Sequence, residues 1–565
     1  YAESQGGDAN RIDLKTTKSV SIKPREAEGE EKLRWNWNTP IVTGTANTHD
    51  LYMGAQFLYR STNQGRTWDK ISPDLTTNNK AMQQQDSSGG LSTDNTAAEN
   101  HCTIFTIAES PLDDKTIWVG TDDGNLQVTT NAGKTWKNVA ANVAAGGVAP
   151  QAWVSSIEPS RFDKNTVYAT FDNHMTGDMK TYLAKSTDFG TTWKMISSSE
   201  FTGYAHKIKE DLVNKNLLFL GTEMGLFATL DGGENWFRMK NNIPWYVAVR
   251  DIQIQPKTND LVLATHGRGV IVVDDITPMR SLTKDIIDRD VYLIPSPPIL
   301  LSDGVFGYGG ASSPGGWVAD NAAYTEIPPI QYYLRDRVNT ARVKVEIFDS
   351  TGALIQSIPA SERKGINKIH WNLRMKPPKT AIGGTKIDYA GFTGPMVMPG
   401  VYTVKLTIGT KEYTSPLTLL HDTTNKNFTL NDRKLQYDLA MQCYHLHERL
   451  ASVVDNINDK QKWIKAMLDS VKDEKVRKAL TEYDDSLEKL RTTLLASKQT
   501  SVFADERKLR ENISEVYTDI AYNEARPSNL QMDRVKMLEE RVANADANDQ
   551  AINAKYKLLL GGTSE

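Results

Sequence analysis

The hydrophobic rhythm of the chain divides it into two regimes. Up to about residue 276, and again over 331–421, apolar and polar positions alternate in short runs, the period-two pattern of strands. From Asn431 the period becomes helical. In the first regime one four-strand unit recurs. Its second copy predicts an inner strand at 103–107, a second at 116–120, a third at 126–130 and an outer strand at 135–139. Further inner strands fall near 153–157, 207–212 and 247–254, with second strands at 167–171, 217–221 and 261–265. An earlier unit runs from about 34 to 72, and residues 1–23 supply only the later strands of another. Four-strand units in series predict propeller blades.

A short pattern marks the turn after each third strand. It reads Ser61-Thr62-Asn63-Gln64-Gly65-Arg66-Thr67-Trp68, Thr129-Thr130-Asn131-Ala132-Gly133-Lys134-Thr135-Trp136, Ser186-Thr187-Asp188-Phe189-Gly190-Thr191-Thr192-Trp193 and Thr229-Leu230-Asp231-Gly232-Gly233-Glu234-Asn235-Trp236. Asn or Asp bonds backbone amides in a tight turn, Gly supplies positive φ, and Trp plugs the gap between blades. The pattern resembles the Asp box (BNR repeat) of sialidases, sortilins and tandem-propeller xyloglucanases. Four copies between strand-like segments predict a β-propeller over 1–276, opened at its N-terminal end.

Residues 277–330 are rich in Pro and Gly, with Ser296-Pro297-Pro298 and Gly307-Tyr308-Gly309-Gly310, and read as an ordered linker or a strap along the propeller rim. Over 331–421, runs such as Val343-Lys344-Val345-Glu346-Ile347-Phe348 and Val401-Tyr402-Thr403-Val404-Lys405-Leu406 predict a small β-sandwich. It is similar to the immunoglobulin-like domain of flagellar hook-cap proteins. Over 429–560, four apolar stripes predict an antiparallel helical bundle. They are Leu435, Leu439, Leu446, Leu450 and Val453; Val476, Leu480, Tyr483, Leu487, Leu490 and Leu494; Ile513, Val516, Tyr517 and Ile520; and Val535, Leu538, Val542 and Ala545. The fold class is therefore mainly β, a propeller and a sandwich followed by an α-helical bundle.

Composition narrows the function classes. The chain has 565 residues, 39% hydrophobic and 24% charged, with a formal net charge of −4. Nucleic acid is not an expected partner, because the basic residues form no stripe. The two cysteines, Cys102 and Cys443, exclude a disulfide framework and a Cys-based zinc site, and read as small buried apolar residues. No apolar run is long enough for a transmembrane segment. The chain begins Tyr1-Ala2-Glu3-Ser4-Gln5-Gly6-Gly7, without a signal peptide or initiator Met, as a mature or truncated chain does.

Strand alternation decides which loops share a face. Loops entering inner strands lie with the loops between second and third strands, and the box turns lie at the opposite face. The boxes are therefore architectural. His101 and His206 precede inner strands, and His174 and His266 sit between second and third strands, so all four are expected on one face. The same loops carry Asp122, Asp123, Asp172 and Glu223, with Arg250 opening an inner strand and Arg268 in Thr265-His266-Gly267-Arg268-Gly269. His101, His174, His206, Arg250, His266 and Arg268 are the candidate ligand-binding residues. Should the chain be a hydrolase, Asp122, Asp123, Asp172 and Glu223 are the pool for its two carboxylates. The alternative is that these polar groups cap blade ends. No metal and no cofactor is expected, since close ligand spacing is lacking. His445-Leu446-His447-Glu448 lies on a helix and reads as a solvated face.

Longer motifs carry a wider resemblance. They are Arg34-Trp35-Asn36-Trp37-Asn38-Thr39-Pro40, Glu99-Asn100-His101-Cys102-Thr103-Ile104, Val119-Gly120-Thr121-Asp122-Asp123-Gly124-Asn125, Thr176-Gly177-Asp178-Met179-Lys180-Thr181 and Ala264-Thr265-His266-Gly267-Arg268-Gly269. The chain resembles a bacterial family of large secreted sortilin-type propeller proteins, often labelled glycosyl hydrolase. The resemblance implies an extracytoplasmic setting in a Gram-negative bacterium of the Bacteroidetes kind, in the periplasm, at the outer membrane or on the cell surface. The expected function is a protein- or peptide-binding scaffold, as a subunit of an outer-membrane or cell-surface complex. The alternative is a glycoside hydrolase acting on a glycan at the polar face.

Overall fold

The computed structural model describes residues 1–301, 329–383, 389–497 and 506–560, apart from Ala46, Asp94, Asn241 and Thr424. The chain forms two units, Tyr1–Asp288 and Arg289–Glu565. It is mainly β, with many small antiparallel sheets and a C-terminal helical region.

Six sheets follow one another in the first unit. The first holds β1 (Ala2–Ser4), β2 (Asp8–Ile12) and β3 (Ser19–Ser21). The second holds β4 (Ile41–Thr43), β5 (Leu51–Gly54), β6 (Leu58–Ser61) and β7 (Asp69–Lys70). The third holds β8 (Ile104–Ser110), β9 (Asp113–Thr121), β10 (Leu126–Thr129) and β11 (Lys137–Asn138). The fourth holds β12 (Trp153–Pro159), β13 (Val167–Asp172), β14 (Tyr182–Ser186) and β15 (Lys194–Ile196). The fifth holds β16 (Ala205–Glu210), β17 (Leu218–Thr222), β18 (Gly225–Thr229) and β19 (Phe237–Arg238). The sixth holds β20 (Ala248–Ile254), β21 (Leu261–His266) and β22 (Val270–Val273). Each sheet packs on the next, as blades of a propeller do: Ala9 and Ile22 share a core with Leu51 and Met53, and β8, β12, β16 and β20 contact in turn.

One turn makes these joints. In all four copies the hydroxyl of Ser61, Thr129, Ser186 or Thr229 accepts from the Gly65, Gly133, Gly190 or Gly233 N–H, at 2.8–3.1 Å. The carboxamide or carboxylate of Asn63, Asn131, Asp188 or Asp231 accepts from the N–H four residues on, at 2.8–2.9 Å. The Thr192 hydroxyl, with the Thr192 N–H, donates to the Asp188 carboxyl and holds it down at about 2. The turn glycine then touches the preceding sheet. A Cβ on Gly133 would lie 2.4 Å from the Ile71 carbonyl oxygen, and one on Gly65 would lie 2.8 Å from Ile22. The indole N–H groups of Trp68 and Trp136 donate to the Ile22 and Ile71 carbonyls, so β3 holds the place in the first sheet that β7 holds in the second. After β22 no such turn follows. The chain enters a short helix, Thr277–Ser281, whose Arg280 clasps the buried Asp211 carboxylate with Nε and Nη2 at 2.9–3.0 Å.

The stretch read as a linker contributes regular structure to the second unit. Its described part includes β23 (Val291–Ile294) and β24 (Ile299–Leu301), while 302–328, with Gly307-Tyr308-Gly309-Gly310, lies outside the described residues. The remaining strands are β25 (Ile330–Leu334), β26 (Val343–Phe348), β27 (Leu354–Pro359), β28 (Gly365–Ile369), β29 (Gly400–Ile408) and β30 (Lys411–His421). They form sheets of order β23-β25-β28 and β24-β30-β29-β26-β27, which share one core around Tyr332, Val345 and Leu406. Helices Leu430–Ser470, Glu474–Leu494, Leu509–Ala521 and Asn529–Lys555 bury the four stripes in another core. Thr429 and Asp432 form a capping box at the first helix, and Ser528 with Gln531 caps the last. One expectation is corrected here. His445 and Glu448 are exposed, but His447 is fully buried with its ring edge-on to Tyr517, because it points along the stripe toward the third helix.

The joint yields a prediction. Gly133 (φ +91°) and Gly177 (φ +85°) both hold left-handed backbone, but nothing lies within 4 Å of a Cβ on Gly177. Gly177→Ala should cost about 1–2 kcal/mol from conformation alone. Gly133→Ala should cost more, roughly 3 kcal/mol or above, because the Ile71 backbone must move. Urea unfolding of the two variants compares them, and equal losses would contradict the joint.

Candidate functional site

The inner strands carry a shared irregularity. Each of β8, β12, β16 and β20 has a bulge at the same step of its pairing with the second strand, between Ile104 and Thr106, Val154 and Ser156, Ala205 and Lys207, and Val249 and Asp251. The extra residues are Phe105, Ser155, His206 and Arg250. A bulge re-aims its side chain and twists the strand, a device frequent beside functional sites. Together with β4, these inner strands line a groove of about 1040 Å³.

The bulges stand near the mouth of the groove, and the expected polar residues gather there. His101 lies 3.6 Å from Asp122, His174 Nδ1 lies 2.6 Å from Asp172, and His206 Nε2 lies 2.9 Å from Glu223. Arg250 approaches Glu223 at 3.9 Å. His266 pairs across the sixth sheet with Ala248 and lines the groove, while Arg268 is exposed in the β21–β22 turn. The loops entering inner strands thus meet the loops between second and third strands, as strand alternation requires.

The acids differ in what they hold. Asp122 is fully buried, and its carboxylate accepts from the Thr103 N–H and hydroxyl, both at 2.7 Å, and from Asn36 Nδ2 at 3.1 Å. Asp123 is buried too and accepts from the Thr77 N–H and hydroxyl, both at 2.7 Å. These two carboxylates tie neighbouring loops together. Burial pushes the Glu223 carboxyl up, but the His206 hydrogen bond and the His206 and Arg250 charges outweigh it and leave it below the ordinary carboxylate value. The Asp122 carboxylate beside it holds His101 above the ordinary imidazole value, against burial. Burial holds His206 below it, and Glu223 offsets only part of that.

Aromatic rings join the pairs. His174 stacks on Tyr204 with centroids 4.3 Å apart, and Tyr204 meets His206 edge-on at 5.0 Å. Trp153 stacks on His101 at 6.3 Å and meets Phe105 edge-on at 5.4 Å. Sequence reasoning missed Trp153, Tyr204 and Phe105. The available signal was their place at the start of inner strands, beside the histidines that were chosen. Asn36 and Arg34 were visible only as motif. Asn36 binds Thr103 and Asp122, and Arg34 Nε donates to the Cys102 carbonyl at 3.1 Å, so the segment entering β4 fixes the segment that bears His101. Cys102 and Cys443 are both buried, and neither is in a disulfide. Among the described residues no group of three or more His, Cys, Asp or Glu converges as a metal site would need, and no helix is long and apolar enough to cross a membrane.

No protein-family model and no curated protein matches the chain. The solved structures to which it is similar include three that are all β-propeller folds. A GH74 xyloglucanase from Xanthomonas campestris matches at 17% identity over 45% of this chain and 39% of its own, with a TM-score of 0.33. The extracellular domain of a hybrid two-component system from B. thetaiotaomicron matches at 11% identity over 74% of this chain and 48% of its own, with a TM-score of 0.33. YCF48 from Cyanidioschyzon merolae matches at 17% identity over 30% of this chain and 52% of its own, with a TM-score of 0.24. The chain spans about half the length of these structures or less. Similarity at this level leaves the chemistry of this chain to its own residues.

The two histidines should separate by titration. Imidazole NMR should show His101 above the ordinary value of 6.5 and His206 below it. The raised His101 adds stability below 6.5 that is lost as pH rises through its folded value. The depressed His206 acts oppositely, costing stability as pH falls from 6.5 through its folded value. The reverse order of titration would contradict the described contacts.

Proposed function

We propose that the chain is an extracytoplasmic binding propeller that holds a protein or peptide at the groove mouth, in the setting of a bacterial outer-membrane or cell-surface complex. The observation that carries this reading is the state of the four candidate acids. Glycoside hydrolysis by the usual route needs two carboxyl groups flanking one bond, one of them kept protonated by a raised pKa. Asp122 and Asp123 are buried and bonded to loop backbone and hydroxyls, which leaves them no reach to a substrate. Asp172 is engaged by His174, and Glu223 is held toward its ionised form, the wrong direction for a general acid. What remains at the mouth is a set of paired charges and half-buried rings, the material of a recognition surface. The sheets of the second unit and its helical bundle add further surface. The extracytoplasmic setting is supported by the Asp-box and family resemblance.

The test is photo-cross-linking from Ser155, replaced by a photoreactive residue, in cells that make the protein natively. One stoichiometric polypeptide adduct is expected, lost when the photoreactive residue is moved to Lys134 on the far turn. In parallel, the purified chain should release no reducing ends from a glycan panel. Glycan cleavage that disappears in Glu223→Gln would overturn the reading and favour the hydrolase.

A further inference from the structure

The part of the mouth formed by the fifth and sixth sheets has a composition of its own. Trp245 and Tyr246, on the segment entering β20, are 51% and 70% exposed. Large aromatic side chains left this open on a folded surface mark contact sites. Basic side chains surround them. The Arg238 guanidinium lies 4.4 Å from the Trp245 ring centroid, and Lys240 Nζ lies 5.2 Å from it. Arg238 also donates to the Met224 and Trp245 carbonyls. Arg250 and Arg268 complete the set, since the Ala248–His266 register brings the segment before β20 and the β21–β22 turn to one end of the sheet. Glu223 is an acid beside Arg250, and it already serves His206 as well.

Four cations and two open rings therefore lie toward the same end of two adjoining sheets, on a chain whose net charge is −4. Arginine presents a planar fork that fits a carboxylate in two-point fashion, and Trp, Tyr and Arg are the residues that dominate polypeptide interfaces. Phe105 and Trp153 line the adjoining groove and offer apolar contact to a side chain entering beside the charged segment. We infer that this patch recognises an acidic peptide segment, whose carboxylates meet Arg250 and Arg268 and whose apolar side chains pack on Trp245 and Tyr246. The inference rests on the polypeptide-binding reading above and adds the charge of the ligand to it.

The probe is a fluorescein-labelled peptide alternating Glu with Leu and Tyr, its isostere with Gln at every Glu, and an oligogalacturonate as a carboxylate-bearing glycan. Anisotropy is measured with the full chain. The Glu peptide should bind, with affinity falling as salt rises. The Gln peptide should bind at least about tenfold more weakly, the size expected for losing charge-assisted hydrogen bonds. Arg250→Gln, Arg268→Gln and Tyr246→Ala should each weaken the Glu peptide severalfold, while Lys134→Gln on the far turn should not. These positions are exposed, and matched circular dichroism of the variants confirms that they fold. Equal binding of the Gln peptide, preference for oligogalacturonate, or no binding of the Glu peptide would each overturn the inference. The Ser155 cross-link reads the parent proposal separately, so a polypeptide adduct with charge-blind peptide binding would sink this inference alone.

Discussion

The joint between neighbouring sheets is the interaction on which the first unit depends. A small antiparallel sheet is marginal in water, and the second to fifth sheets here are each covered by a neighbour on both sides. The cover is set by a turn in which Asn or Asp folds the backbone, Gly passes close to the preceding sheet, and Trp fills the space beside it. Where Gly133 meets the Ile71 carbonyl there is room for a hydrogen atom and nothing larger. Repeating that contact fixes the spacing of the sheets, and the spacing in turn opens the groove along their inner strands.

A division of labour follows from strand alternation. The far turns are committed to architecture, and their polar side chains are consumed by their own backbone. The near loops carry side chains that reach between sheets, such as Asn36 to Asp122 and Arg250 to Glu223, without forming the cover itself. Bulges at Phe105, Ser155, His206 and Arg250 turn one extra side chain per sheet out of the ladder. The mouth is thus the part of the first unit whose residues are free to be shaped by a ligand.

Much of this was legible in the sequence. Period-two runs located the inner and second strands to within a few residues, and the box turns ordered the blades. The gathering of His101, His174, His206 and His266 at one end followed from counting strands. The bulges were not legible, because a bulge belongs to the register between two strands, and one strand read alone does not reveal it. Nor was the difference between Asp122 and Glu223. Both sit in equivalent loops, but Thr103 and Asn36 enclose the first, while the second faces an imidazole and a guanidinium. β24 escaped notice because it pairs in parallel with β30, far along the chain, and follows Ser296-Pro297-Pro298, which reads locally as a turn. His447 was misjudged because its neighbours His445 and Glu448 are solvated, and one step around a helix changes the face.

The central claim is that the turns hold the first unit together and the mouth is left for recognition. Its most direct test is the urea midpoint of two matched sets of variants, Asn131→Ala, Asp188→Ala and Asp231→Ala in the turns, and Tyr246→Ala, Arg250→Gln and Arg268→Gln at the mouth. The account predicts that each turn variant lowers the midpoint, by about 1 kcal/mol or more in stability, and that the mouth variants leave it within about 0.5 kcal/mol of the parent. Mouth variants that destabilise as much as turn variants would make the mouth part of the scaffold and contradict the account.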